Sequence, residues 1–372
     1  MKAVKVLGAV AGLGIMAGST ALLAQDAPPR PRFEEDGTVK VPAFDLKPSS
    51  FLSPEALAAQ KMRARMPAGT PPNDLDIVQV RRGLEAQLAP QVAEMRKRYA
   101  VDIAPGAIAG VPVRTITPVG KPTDRTRVLI NVHGGGFSMC AESCALLESI
   151  PISSLGGFKV VTVDYRMGPE ARHPAAVEDV EKVYRELLKT YQPKQIGLYG
   201  CSAGGALTAQ AAAWMPTRRL PQFGAVGIFG AGAVRFGVGD SAYISGYVSG
   251  SFPPPAAPGK SNGDMTRGYF DGAEMGDPIL SAALHPEVIA KFPPALIITG
   301  SRAMDMSPAI VTNSALIKAG VPSTLIVQEG MDHCYIMQSN LPEARDAYQA
   351  TVNFFRANLT AGPAPTARAR RK

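Results

Sequence analysis

Histidine and cysteine are scarce, with four of each in 372 residues. No two of His133, His173, His285 and His333, and no cysteine–histidine group, have the spacing of metal ligands, so neither a metal nor another cofactor is expected. Four cysteines are too few for the disulfide framework of a small secreted domain. Cys140 and Cys144 stand four apart, an awkward spacing for a bridge if that stretch is helical. Cys201 and Cys334 read as small apolar residues packed inside the protein. No internal repeat is visible. Acidic residues are missing from 1–25 and 361–372, and six of the eight net positive charges lie there: Lys2, Lys5, Arg368, Arg370, Arg371 and Lys372. The body between carries only +2, which offers no basic face to nucleic acid. An apolar share of 46% and a charged share of 19% exclude a disordered or fibrous chain.

What is present begins with a short basic start, Met1–Lys5, followed by the uncharged, glycine-interrupted stretch Val6–Gln25. This is the layout of a secretory signal, residues 1–24, with cleavage after Ala24 and a periplasmic or secreted product. An uncleaved anchor is the alternative. The stretch is glycine-rich and close to the minimum for a bilayer span, so no stable membrane association is expected. Export and reduced cysteines pull against each other. Residues 361–372 form a basic tail expected to be disordered.

Ser53-Pro54-Glu55 has the order of a helix start, and Asn73 is a candidate cap for a second helix carrying Ile77, Val80, Leu84, Leu88, Val92 and Met95 on one face. Pro90 should kink or split that helix. Residues 25–110 are therefore expected to form a helical cap segment. From Arg127 short β-branched runs alternate with helical stretches: Val128–Val132, Lys159–Asp164, Ile196–Tyr199, Ala225–Phe229, Ala295–Thr299 and Thr324–Gln328 are the candidate strands. Uninterrupted apolar strands with intervening helices predict a mostly parallel sheet covered on both faces, within a domain spanning 111–360. The Gly-, Pro- and Ser-rich interval 238–294 is too long for a simple connection and is expected to be a lid excursion.

Gly200-Cys201-Ser202-Ala203-Gly204 fits G-x-S-x-G between a predicted strand and a predicted helix, the context of a nucleophile elbow. Ser202 would stand on a strained turn with its hydroxyl clear of the sheet, and the helix beginning at Ala203 would aim free N–H groups at developing negative charge. His133-Gly134-Gly135-Gly136-Phe137 follows a strand, and its bare amides suit an oxyanion hole built from Gly134, Gly135 and Ala203. A phosphate-cradling loop is the competing reading, but neither G-x-x-x-x-G-K-[ST] nor G-x-G-x-x-G is present. A serine hydroxyl needs a base. His333, just after the last predicted strand, is the candidate, while His133 shapes its loop, His173 sits in a loop and His285 lies on the lid surface.

Together with Asp164-Tyr165-Arg166-Met167-Gly168-Pro169-Glu170 and Glu329–His333, these motifs resemble those of the hormone-sensitive lipase family of α/β-hydrolases, over roughly Arg127 to Arg356. The resemblance implies an α/β-hydrolase sheet, a helical cap made by the N-terminal segment and the excursion, the chain order Ser–Asp–His, and hydrolysis of carboxylic esters with short to medium acyl chains. One position departs from the family. A gap-free match puts Ala303 where the family carries its aspartate. Asp305, two residues on, is the favoured replacement. Glu329 and Asp332 have a short reach back to His333, and an incomplete triad is the third reading. Asp305 could instead simply cap the helix that follows. The expected function is a serine carboxylesterase acting on a small-molecule ester, with oligomeric state unread. The alternative is a catalytically impaired hydrolase that binds a small molecule.

Overall fold

The computed structural model describes residues 30–63, 76–250, 252–256, 260 and 262–362. The expected signal 1–24, Asn73 and all but the first two residues of the 361–372 tail lie outside them. The chain divides into two compact units, Met1–Lys47 and Pro48–Lys372. In the first, β1 (Arg32–Phe33) and β2 (Val39–Lys40) form a small antiparallel hairpin.

The second unit opens with two helices, α1 (Pro54–Arg63) and α2 (Ile77–Arg98). Ser53 caps α1 by accepting the Ala56 N–H at 3.0 Å. Its own N–H and hydroxyl donate to the Glu343 carboxylate, 290 residues away, at 2.8 and 2.9 Å. Asp76 caps α2, accepting from the Val78 N–H. The helix is not split at Pro90: α2 runs through it as one element. Pro90 is exposed, so the carbonyl it leaves unpaired can turn to water instead of ending the helix.

Then follow β3 (Val101–Ile108), β4 (Val111–Pro118), β5 (Asp124–Val132), α3 (Ser143–Gly156), β6 (Phe158–Val163), α4 (Ala175–Leu187), β7 (Ile196–Cys201), α5 (Ala203–Thr217), β8 (Ala225–Phe229), α6 (Asp240–Val248), α7 (Pro286–Ile289), β9 (Ala295–Gly300), α8 (Met306–Lys318), β10 (Ser323–Gln328) and α9 (Pro342–Asn358). Eight strands form one sheet in the order β10-β9-β8-β7-β5-β6-β4-β3. The six from β10 to β6 are parallel, and β4 and β3 join antiparallel at one edge. The expected α/β-hydrolase architecture is thus present. One correction concerns 25–110, which is not helical throughout. It ends in β3, a strand of the main sheet.

Alternate strand residues feed two cores. Val128, Ile130, Ile196, Leu198 and Ile297 pack beneath α4, α5 and α8, while Leu129, Val160, Tyr199 and Ile298 pack against α3 and α9. A strand buried on both faces has no polar side, which is why these runs are uninterrupted. Because the six central strands are parallel, the segments leaving β5, β7, β9 and β10 emerge on one edge of the sheet.

Candidate active site

Gly200 and Gly204 let β7 and α5 press against β5: a Cβ on either would collide with the Val132 carbonyl oxygen. Between them Ser202 holds φ 59° and ψ −123°. This conformation costs a residue with a Cβ about 1–3 kcal/mol and persists only where its surroundings enforce it. The turn lifts Ser202 Oγ off the sheet edge, 2.8 Å from His333 Nε2. His333 follows β10, and its Nδ1 lies 2.5 Å from Asp305 Oδ1. Asp305 immediately precedes α8 and is fully buried, and its second oxygen accepts from Thr299 Oγ1 of β9 at 2.5 Å.

Asp305 therefore does not act as a helix cap, since its side chain bonds no α8 amide. Ala303 is buried in the turn between β9 and α8, with its N–H on Gly300 O. The two-residue offset is absorbed by that turn. The Asp332 carboxylate instead accepts the His333 main-chain N–H at 2.7 Å. Burial alone would push the His333 imidazole down. The charge and hydrogen bond of Asp305, together with the Asp332 charge, outweigh it and raise the ring above its ordinary value. Phe252 and Phe236 stand edge-on to the ring, at 5.1 and 6.4 Å between centroids.

The glycine loop meets the serine from the other side, since a Cβ on Gly134 would lie 3.4 Å from Ser202 Cβ. Here one expectation is corrected. The Gly134 N–H is already donated, at 2.9 Å, to Oε1 of the buried Glu148 on α3. With that acceptor in place the amide is not free to receive an oxyanion. The N–H groups of Gly135, Gly136 and Ala203 have no acceptor among the described residues. Gly135 needs its missing side chain, because at φ 109° a Cβ would run into the Met139 carbonyl. His133 stacks on Tyr165 at 4.3 Å, and Tyr165 OH donates to His133 O. Gly168 N–H ties the Asp164–Glu170 motif to Phe137 O. Helix α2, unread in this role from sequence, adds Arg81, which donates to Ser138 O, Gly168 O and both oxygens of Glu170. From 238–294, Met265 O accepts from Ser138 Oγ, and Tyr269 and Phe270 pack on Phe137.

Both cysteine expectations are overturned. Cys140 and Cys144 form a disulfide, which is possible because α3 starts only at Ser143 and leaves Cys140 in a turn, with a Cα–Cα distance of 5.4 Å. Cys201 and Cys334 form a second, with Cα atoms 6.2 Å apart.

A pocket of about 410 Å³ lies elsewhere, lined by Val234, Val238, Met275, Ser281, Ser307 and Val311 among others, and Ser202, His333 and Asp305 take no part in its wall. Among the described residues, no helix is long and apolar enough to cross a membrane.

A family model described as the alpha/beta hydrolase fold matches residues 129–337. The chain is 28% identical over 272 residues to an acetyl-hydrolase of Streptomyces hygroscopicus, covering 70% of this chain and 89% of that protein. It is 32% identical over 123 residues to a putative acetyl-hydrolase, LipR, of Mycobacterium tuberculosis, a match spanning 33% of this chain and only 39% of that relative. A crystallised esterase superposes with a TM-score of 0.73 at 26% identity, over 86% of this chain and 99% of that one. An esterase from the bacterial hormone-sensitive lipase family shares the fold, with a TM-score of 0.67 at 24% identity over 82% and 97% of the two chains.

Proposed function

The chain belongs to the alpha/beta hydrolase fold family, and from that premise we propose that it is a serine carboxylesterase working through an acyl-enzyme. The observation that carries the reading is the continuous hydrogen-bond chain Ser202 Oγ–His333 Nε2, His333 Nδ1–Asp305 Oδ1, beside three unengaged amides. His333 Nε2 takes the hydroxyl proton as Ser202 Oγ attacks the ester carbonyl. Asp305 holds the imidazole in the tautomer that leaves Nε2 free to accept, and its charge offsets that of the imidazolium. Thr299, by occupying the other carboxylate oxygen, keeps Oδ1 aimed at the ring. The N–H groups of Gly135, Gly136 and Ala203 receive the oxygen that becomes negative. His333 then protonates the departing alcohol, and a water activated by the same nitrogen clears the acyl group.

Short to medium acyl chains are the proposed substrates, in keeping with the acetyl-hydrolase names of the relatives. Export to the periplasm or beyond belongs to the same reading, because two disulfides are at home in an oxidising compartment. A mature protein still starting at Met1 in that compartment would contradict cleavage after Ala24.

The test is hydrolysis of p-nitrophenyl esters from acetate to caprylate, with labelling of Ser202 by a fluorophosphonate probe. Ser202→Ala is expected to lower kcat by about six orders of magnitude and to abolish labelling. A wild-type protein that hydrolyses no ester and takes no probe overturns the proposal.

A further inference from the structure

Cys201 directly precedes Ser202, and Cys334 directly follows His333. The disulfide between them therefore links the backbone of the nucleophile to the backbone of the base, across 133 residues of chain. Building on the esterase reading above, we propose that this bridge is a positioning device for the reaction: it holds Ser202 Oγ and His333 Nε2 in register while the proton passes between them.

Four observations converge on it. First, both of its neighbourhoods are backbone positions that a side chain disfavours: Ser202 has φ 59° and Cys334 has φ 50°. Such conformations last only where something outside the residue enforces them, and the bridge ties one to the other. Second, the histidine loop has no regular structure between β10 and the short 3-10 turn Tyr335–Met337. Its main-chain ties run to the β9 turn and to α1: Gly330 N–H to Ser301 Oγ, Arg302 N–H to Met331 O, and Gln60 Nε2 to Gly330 O. These fasten the loop to the β9 turn and to α1. Toward Ser202, the covalent tie is the disulfide.

Third, the bridge touches the ring that moves the proton. A Cβ added to Gly230, at the end of β8, would lie 2.8 Å from Cys334 Sγ, 3.0 Å from Cys201 Sγ and 3.3 Å from His333 Cε1. Sulfurs, glycine and imidazole thus form one packed cluster, and displacing the sulfurs frees space beside the ring. Fourth, the Cys201 N–H donates to Glu148 Oε2 at 3.1 Å while Glu148 Oε1 holds Gly134. Cys201 is accordingly the point where the glycine loop, the elbow and the histidine loop are joined. Neither sulfur touches the substrate; the pair acts through Ser202 and His333.

A misplacement of about 1 Å between reacting groups can cost on the order of a hundredfold in rate. The experiment uses the full-length protein carrying Cys140→Ser and Cys144→Ser, so that a phosphine reductant opens only the remaining bridge. Thiols are titrated, the fold is followed by circular dichroism, and kcat and KM for p-nitrophenyl butyrate are measured separately before reduction, after it and after reoxidation. The expected result is a fall in kcat of about 10- to 100-fold, KM within a factor of about two, an unchanged spectrum, and recovery on reoxidation. A folded, fully reduced protein with unchanged kcat overturns the proposal. So does a parallel loss of kcat and fold, which would mark the bridge as structural only. If the serine background does not fold, Cys201→Ser/Cys334→Ser with the first bridge intact is read by the same kcat-against-KM criterion. Failure of the esterase reading looks different, because the oxidised protein would then hydrolyse nothing.

Discussion

The two loops that meet at Ser202 are held in opposite ways. The glycine loop after β5 is fixed by many separate contacts: Glu148 on Gly134, Tyr165 on His133, Arg81 and Met265 on Ser138, Gly168 on Phe137, and a bridge across only four residues. In the histidine loop after β10, two of the ties end on the His333 ring or on its neighbour: the Asp305 carboxylate and the Cys201–Cys334 bridge. The difference follows from what each loop supplies. Backbone amides are placed by fixing a length of main chain, which many modest contacts do well. A side-chain ring can rotate, and its orientation depends on the partner it bonds. Damage should therefore be shared out in the first loop and concentrated in the second.

The sharpest way to break that contrast is Asp305→Asn, expected to lower kcat by about four orders of magnitude by favouring the wrong imidazole tautomer. The pH profile adds a second readout. His333 works as a base only when neutral, and Asp305 helps raise its pKa, so wild-type kcat/KM should fall on the acid side at a pH above the ordinary histidine value. In the asparagine variant that limb should move to lower pH. Equal profiles in the two proteins would remove Asp305 from the assignment.

Next in size is Glu148→Gln. Its carboxylate accepts N–H groups on both oxygens, and an amide can accept on only one, so either Gly134 or Cys201 loses its partner. A fall in kcat of up to about a hundredfold is expected. Burial pushes the Glu148 carboxyl up to about 7. The folded protein then binds a proton that the unfolded chain has already released, so wild-type stability relative to the variant should decline as pH rises from about 4.5 to about 7. Thermal unfolding at several pH values checks this. A difference that grows with pH would contradict it.

The smallest effect belongs to Arg81→Ala. Its pairing with the largely exposed Glu170 is screened, and the loop has other supports, so a loss of about 1 kcal/mol is expected, with a smaller drop in kcat than for Glu148→Gln. A loss of turnover matching Asp305→Asn would erase the distinction between the loops.

The six parallel strands were legible because burial on both faces writes itself as unbroken β-branched runs, and the observed strands begin and end within four residues of those runs. The antiparallel edge was not. Val101–Ile108 carries Ala104-Pro105-Gly106-Ala107 and is largely exposed, so neither alternation nor a continuous apolar run marks it. Ser202 and His333 stood out through motif and position, whereas Asp305 was uncertain because sequence does not show how a turn absorbs two residues. The choice between Gly134 and Gly136 was hidden for a different reason: it depends on a carboxylate from α3, 14 residues downstream of Gly134, reaching back under the loop. The four-residue cysteine spacing spoke against a bridge only for a helical stretch, and the helix starts at Ser143, beyond Cys140.

The hydrogen bonds from Ser53 to Glu343 and from Gln60 to Gly330 join parts of the chain separated by 290 and 270 residues. Contacts of such sequence separation pay their loop-closure entropy before they return anything, and they form late. The earliest part of this unit to be synthesised waits for almost the last before the histidine loop is fastened. A chain still emerging from the ribosome holds Ser202 without an assembled site around it. Competence for chemistry thus coincides with completion of folding.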